Sequence, residues 1–325
     1  MAKVGITCGG VWWPTETFQA VEELGFDSIW TGEHIVFHRP ILDAVPVLAG
    51  IAALTKRILL GPAAILTPLR HPTMLAKELA TLDIIAGGRL IVVAGVGGDF
   101  PKEFEATGVP MARRGRRTTE TIEIMRKYWT EERFSYHGSV FELEDVWLTP
   151  KPVQEGGPPI WLAGRSDAAI ARAARLGDGY MPYMYTARRC RAAFEEVRQT
   201  ADRLGVELSP RFTESAFVYV SMHDSPERAR ELGIRDLSWR YGKDFTPWID
   251  KYCVHGTPES CARQLREFVD VGIEHLALGM IHEESVALEP APTAESSRLT
   301  LETIERYARE LIPALRTPAD ARPSG

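Results

Sequence analysis

Residues 15–34 read Thr-Glu-Thr-Phe-Gln-Ala-Val-Glu-Glu-Leu-Gly-Phe-Asp-Ser-Ile-Trp-Thr-Gly-Glu-His. Phe18, Val21 and Leu24 stand at helical spacing, and Gly25 stops that helix. Asp27 to Thr31 then reads as a short strand whose far end delivers Gly32, Glu33 and His34. The same step recurs along the chain. Strand-sized runs fall at Val4 to Cys8, Asp27 to Thr31, Ile58 to Ile65, Leu90 to Ala94, Ile160 to Ala163, Gly179 to Pro182, Ala216 to Ser221 and His275 to Gly279, eight in all. Most are apolar throughout, as strands covered on both faces must be. Between them helices are expected over 15–24, 72–85, 166–176, 186–204, 258–271 and 295–315. Pro72 opens one of these, and Gly87-Gly88 and Gly177 close two. The pattern predicts an α/β protein, a (β/α)8 TIM barrel.

Two connections exceed what a plain barrel needs, one after strand four and one after strand seven. Residues 99–159 hold a helix from Arg113 to Trp129 and hairpin-like sequence from Phe134 to Leu148. Residues 223–256 carry Trp239, Tyr241, Phe245, Trp248 and Tyr252. Long connections in compact domains are usually functional, so this aromatic segment reads as a lid or pocket wall, with a packed surface helix pair as the alternative. No composition break divides the chain, which predicts a single domain over 1–316 and a disordered tail over 317–325.

The 325 residues are 45% hydrophobic and 25% charged, enough for one large soluble domain. A net charge of -6 offers no basic stripe, which argues against nucleic acid and anionic membrane as partners. No apolar run reaches membrane-spanning length, and Met1-Ala2-Lys3 leads straight into a strand without a signal-like region. Cys8, Cys190, Cys253 and Cys261 are scattered, as reduced thiols would be. A cytoplasmic location is expected.

In a barrel the site gathers at the C-terminal strand ends, so the residues there are the candidates. After strand one come Trp12 and Trp13, and after strand two His34. Strand four ends in Gly95-Val96-Gly97-Gly98-Asp99. That run lacks the final glycine of a dinucleotide fingerprint, since position 100 is Phe. Gly95, Gly97 and Gly98 instead let backbone pass close to a flat ligand, or simply turn. Gly164-Arg165-Ser166 opens a helix directly after strand five, and unpaired helix-start N–H groups beside a guanidinium make a phosphate seat or an ordinary cap. Thr186 to Arg189 has the same character. Tyr183 and Tyr185 follow strand six and, with the tryptophans, suggest an apolar or planar substrate. His34 is a candidate acid–base group, its alternative a structural histidine. A metal hydrolase would need His34, Asp99 and His282 to converge, and no ligand-spaced pair supports it, so no metal is expected. No strand end presents a lysine, which argues against Schiff-base chemistry.

Several ordered pieces carry a resemblance. They are Gly25-Phe26-Asp27-Ser28-Ile29-Trp30 with Glu33-His34, then Arg70-His71-Pro72, Ala80-Thr81-Leu82-Asp83 and Gly87-Gly88-Arg89. Gly95 to Gly98, Glu103-Phe104, Arg114-Gly115, Pro150-Lys151-Pro152 and Arg172 to Gly179 follow in order. The set resembles the luciferase-like monooxygenase family, in particular its F420-dependent oxidoreductases. The resemblance implies a barrel, a homodimer, and a deazaflavin (coenzyme F420) or FMN at the C-terminal mouth. It implies a phosphate-binding turn at Gly164, Arg165 and Ser166, and a bulge at the Ala64-Ile65 step pressed on the cofactor ring, often through a cis peptide. It places His34 by the reacting face, and Asp99 near an acid that some F420-dependent members carry. Hydride transfer between coenzyme F420 and a small organic substrate is the expected activity. The alternative is an FMN-dependent monooxygenase using O2 and reduced flavin from a separate reductase. A flavin-binding relative without catalysis is a third possibility.

Overall fold

The computed structural model describes residues 1–9, 13–283 and 293–316. The first half of the chain alternates β1 (Lys3–Thr7), α1 (Thr15–Glu23), β2 (Ser28–Thr31), α2 (Ala44–Leu54), β3 (Leu59–Leu66), α3 (Pro72–Ala86) and β4 (Val92–Gly95). Then come α4 (Lys102–Ala106), α5 (Arg114–Thr130) and the strands β5 (Phe134–His137) and β6 (Glu142–Val146), which pair antiparallel. The second half runs β7 (Ile160–Ala163), α6 (Asp167–Leu176), β8 (Gly179–Met181), α7 (Ala187–Leu204), β9 (Thr213–Met222) and α8 (Pro226–Tyr241). It ends with α9 (Ile249–Tyr252), β10 (Cys253–Gly256), α10 (Pro258–Asp270), β11 (His275–Ile281) and α11 (Ala294–Arg316).

Eight parallel strands close in the order β1-β2-β3-β4-β7-β8-β9-β11, with β11 returning to β1 through Lys3↔His275 to Ile6↔Leu278. All eight runs read as strands from the sequence are barrel strands, and the chain is a (β/α)8 TIM barrel. A ninth strand, β10, was not expected. β8 pairs with the start of β9, at Gly179↔Thr213 and Tyr180↔Glu214, and contact along that edge ends at the Tyr183↔Phe217 bridge. That leaves the end of β9, Tyr219 to Met222, free to pair with Cys253 to Gly256. Among the longer helices, α2 went unread, and α8 falls in segment 223–256, where a packed helix pair was the alternative reading. Among the described residues no helix is long and apolar enough to cross a membrane. The tail 317–325 lies outside the described residues.

The barrel interior is filled unevenly, and that places the site. Its lower half packs Trp30 and Trp161 tilted against each other and both edge to face with His275, with ring centroids 5.3 to 5.6 Å apart. Burial holds His275 neutral, its pKa pushed down to about 3, and its Nε2 meets Ser28 Oγ at 2.7 Å. Gly61 makes room for this plug, because a Cβ there would overlap the carbonyl oxygen of Ile91. The upper half carries small side chains instead, at Ala63, Ala64, Gly95, Ala163 and Gly279. They leave a cavity of about 750 Å³ at the C-terminal mouth.

Candidate active site

His34 stands in the wall of this cavity on the extension of β2. Its Nδ1 lies 3.1 Å from Oε1 of Glu103, an oxygen that also accepts the N–H of Ile35 at 2.7 Å. The ring stacks flat on Phe37, with centroids 3.7 Å apart and planes 6° from parallel. With Glu103 ionised, Nδ1 carries the hydrogen and donates it, which leaves Nε2 as the basic nitrogen. Glu103 is 1% exposed and sits in the first turn of α4. The glycine turn at Gly97 and Gly98, φ 60° and 120°, swings the chain out of β4 and into that helix. The sequence reading saw Glu103 only as part of a motif. An acid in the first turn of a helix just beyond a glycine turn was the one signal available. Asp99 also lines the cavity, where its Oδ2 accepts from the Tyr183 hydroxyl at 3.4 Å. Burial, then the charge of Asp99, pushes Tyr183 up to about 12, so it remains a phenol.

On the neighbouring strand stands the bulge of β3. Ala63 pairs with Val93 and Ile65 with Ala94, so Ala64 is the extra residue, and the cis peptide is Ala63–Ala64. The expected step, Ala64–Ile65, is therefore corrected by one residue. Four consecutive apolar residues gave no side-chain mark of the register, which the ladder to β4 sets. Ala64 lines the cavity, whereas Ile65 is fully buried outside it. Gly95 lets the two strands close on the bulge, since a Cβ there would stand 3.0 Å from that of Ala64.

Gly164, Arg165 and Ser166 line the cavity at the start of α6. Ser166 caps the helix by accepting from Ala169 N at 3.3 Å, and Arg165 lies over the Tyr183 ring at 4.9 Å. Gly164, φ 128°, has the Ala169 methyl 2.9 Å from where its Cβ would be. Trp13 reaches the cavity, tilted against Phe18, while Trp12 lies outside the described residues. Tyr185 does not line it. Its hydroxyl donates to the Arg165 carbonyl at 3.1 Å and so braces the turn from behind.

The far wall comes from β9 and α8. Tyr219 and Tyr241 share a hydroxyl hydrogen bond of 2.8 Å, and Arg240 meets Asp236 at 3.0 Å. His282 also lines the cavity, and burial pushes it down to about 4, so it is neutral near pH 7. Across the mouth, His38 Nε2 meets the Trp239 carbonyl at 3.4 Å, and the Arg39 guanidinium lies 3.4 Å above the Trp239 ring. Segment 223–256 thus supplies one wall and one anchor of the mouth. Neither Tyr219 nor Arg240 was named from sequence, and His282 was named only as a strand-end residue of the metal-hydrolase alternative. Among the described residues no group of three or more His, Cys, Asp and Glu could hold a metal ion.

Among the described residues, no atom other than those of the chain neighbours lies within 4 Å of a Cβ built on Gly9 or Gly32, both of which line the cavity. The family model described as luciferase-like monooxygenase matches residues 15–275.

The chain belongs to the luciferase-like monooxygenase family.

Its named relatives include oxidoreductases. An F420-dependent glucose-6-phosphate dehydrogenase of Kineococcus radiotolerans is 27% identical over 335 aligned positions, covering 91% of this chain and 90% of the relative. An FMNH(2)-dependent dimethylsulfone monooxygenase of Pseudomonas putida is 34% identical over 203, covering 62% of this chain and 52% of the relative. The chain spans about half the length of several relatives it matches, 48% in one group. Among solved structures, an F420-dependent secondary alcohol dehydrogenase with an F420-acetone adduct superposes with a TM-score of 0.79 at 19% identity, over 97% of this chain and 99% of that one.

Proposed function

We propose that this luciferase-like enzyme moves a hydride between coenzyme F420 and a small organic substrate. The observation that carries the reading is His34, held through Nδ1 by buried Glu103 with Nε2 unbonded among the described residues, on the wall of a mouth floored by the Ala64 bulge. Bound F420 would supply the hydride-accepting ring. The chain supplies the proton chemistry: as an alcohol carbon gives up hydride, His34 Nε2 takes the hydroxyl proton, and it returns that proton in the reverse direction. Arg165 and the first turn of α6 would hold the cofactor's phosphate, and Tyr183 and Ala64 would line the ring's seat. Phe37, Phe100, Phe217 and Tyr241 line the remaining space and suit an apolar or planar substrate. Homodimeric assembly belongs to the same reading.

The FMN alternative has its own support in the P. putida relative, which is FMNH(2)-dependent by name. The F420 reading is preferred because the F420-dependent relative aligns over 91% of this chain rather than 62%. Fluorescence titration of the apo-protein with F420 and, separately, FMN decides between them. Tight F420 binding with weak FMN binding is expected. The reverse would move the enzyme to oxygen chemistry with a partner reductase, and binding of neither would overturn the site.

Arg165 gives a second measurement. Its side chain is exposed, so Arg165→Ala should leave the melting temperature unchanged. Loss of a charge-assisted phosphate contact should weaken cofactor binding by about tenfold to a hundredfold. Equal affinity in the variant would remove the phosphate from this turn.

A further inference from the structure

The cavity wall contains a buried carboxylate that the acid–base reading leaves unused. Glu33 is 4% exposed and lines the mouth. Its Oε1 accepts from Arg70 Nη2 at 2.6 Å, and its Oε2 accepts the backbone N–H of Leu66 at 2.7 Å. Arg70 reaches two further carboxylates, Asp43 at 2.9 Å and Glu78 at 3.3 Å.

The places these bonds join are informative. The ladder between β2 and β3 ends at Thr31↔Pro62. Beyond it β3 pairs through its bulge with β4 alone, and the extension of β2 bearing His34 has no ladder to the bulge. Glu33 spans that gap. It is the chain neighbour of His34, and the N–H it holds, on Leu66, lies two residues beyond Ala64.

We infer that Glu33 is a positioning residue whose carboxylate ties His34 and the Ala63–Ala64 bulge into one rigid unit, fixing the proton acceptor relative to the ring seat. The inference deepens the proposed function and rests on it. A carboxylate is required, because two donors converge on it from Arg70 and Leu66. The amide of a glutamine would turn an N–H toward one of them, leaving donor against donor. An ordinary stabilising ion pair would behave differently, since it would need no link to Leu66 and no effect on the ring.

Glu33→Gln tests this with two readouts that need no substrate. In the apo-protein, hydrogen exchange at the Leu66 amide should accelerate by about tenfold or more, as expected when a bond to a charged acceptor is lost. In the protein titrated with F420, or with FMN if that is the ligand bound, the visible circular dichroism of the cofactor should change and its Kd should rise roughly tenfold. Glu78→Gln, which loosens Arg70 without touching Glu33, should leave both readouts at wild-type values. If Glu33→Gln does not fold, Glu33→Asp is used, since its shorter side chain cannot reach both donors. Unchanged Leu66 exchange, an unchanged cofactor spectrum, or a Glu78→Gln variant that reproduces the effect would each overturn the positioning role. Wild-type protein that binds neither cofactor defeats the proposed function instead, and Leu66 exchange still decides the tie in the apo-protein.

Discussion

His34→Ala is expected to lower turnover about 100-fold while the protein folds normally and still binds its cofactor. The estimate follows from what His34 touches. Its ring contributes one hydrogen bond, to Glu103, and one stacked contact, on Phe37. Neither supports the barrel, and Glu103 keeps the N–H of Ile35 when the imidazole is gone. The residues proposed to hold phosphate and ring, Arg165 and Ala64, are on other elements, at the start of α6 and on β3. The substitution therefore removes the proton acceptor and little else. A loss of 10²-fold is the low end for a positioned acid–base group, and water entering the vacated space can carry part of the proton transfer. The measurement is kcat on whichever substrate the wild type turns over, together with the cofactor Kd. Unchanged turnover would reduce His34 to a structural histidine. A matching loss in Kd would make it a cofactor contact instead.

The barrel was legible because each strand is a short apolar run closed by glycine or polar residues, and the candidate positions follow from the strand ends. What escaped reading did so for physical reasons. Helix α2 reads Ala-Val-Pro-Val-Leu-Ala-Gly-Ile-Ala-Ala-Leu, apolar on every side, so it has no face to detect. Its only signal is Asp43, whose side chain caps it through Val45 N at 3.0 Å. Helix α8 is rich in charge, with Gly233 in its interior, and its periodicity is weak. Ser225 at its start and Gly242, φ 63°, at its end mark it better than its body does. β10 exists only because a neighbouring strand diverges, which no local pattern reports. Glu103 stands 69 residues from His34 in the chain, and their meeting depends on the turn of Gly97 and Gly98 after β4. Strand ends could be read locally. Partnerships across the mouth required the fold.

The lower half of the barrel should respond to change in another way, and Gly61→Ala is the sharpest case. A Cβ on Gly61 would overlap the carbonyl oxygen of Ile91 and stand 2.9 Å from Cζ3 of Trp30. Neither neighbour can retreat. Ile91 is tied to β3 by its own N–H, given to the Leu60 carbonyl at 2.9 Å, and Leu60 N is bonded to the Arg89 carbonyl at 3.1 Å. Trp30 is wedged against Trp161 and His275, with centroids 5.6 and 5.5 Å away. One methyl group must therefore separate β3 from β4 or unseat the aromatic plug. Overpacking of a well-filled core costs about 1–3 kcal/mol, and a backbone clash belongs at or above the top of that range. At ~3 kcal/mol the melting temperature of a chain this long should fall by roughly 4–5 °C. Gly32→Ala is the matched control, since a Cβ there meets nothing within 4 Å and its φ is not in the left-handed region. It should melt with the wild type and lose cofactor affinity, because its methyl enters the cavity. Thermal unfolding and cofactor titration of the two variants then separate the halves of the barrel. A Gly61→Ala protein as stable as the wild type would show that β3 and β4 can part without cost, and the plug would no longer account for where the cavity begins.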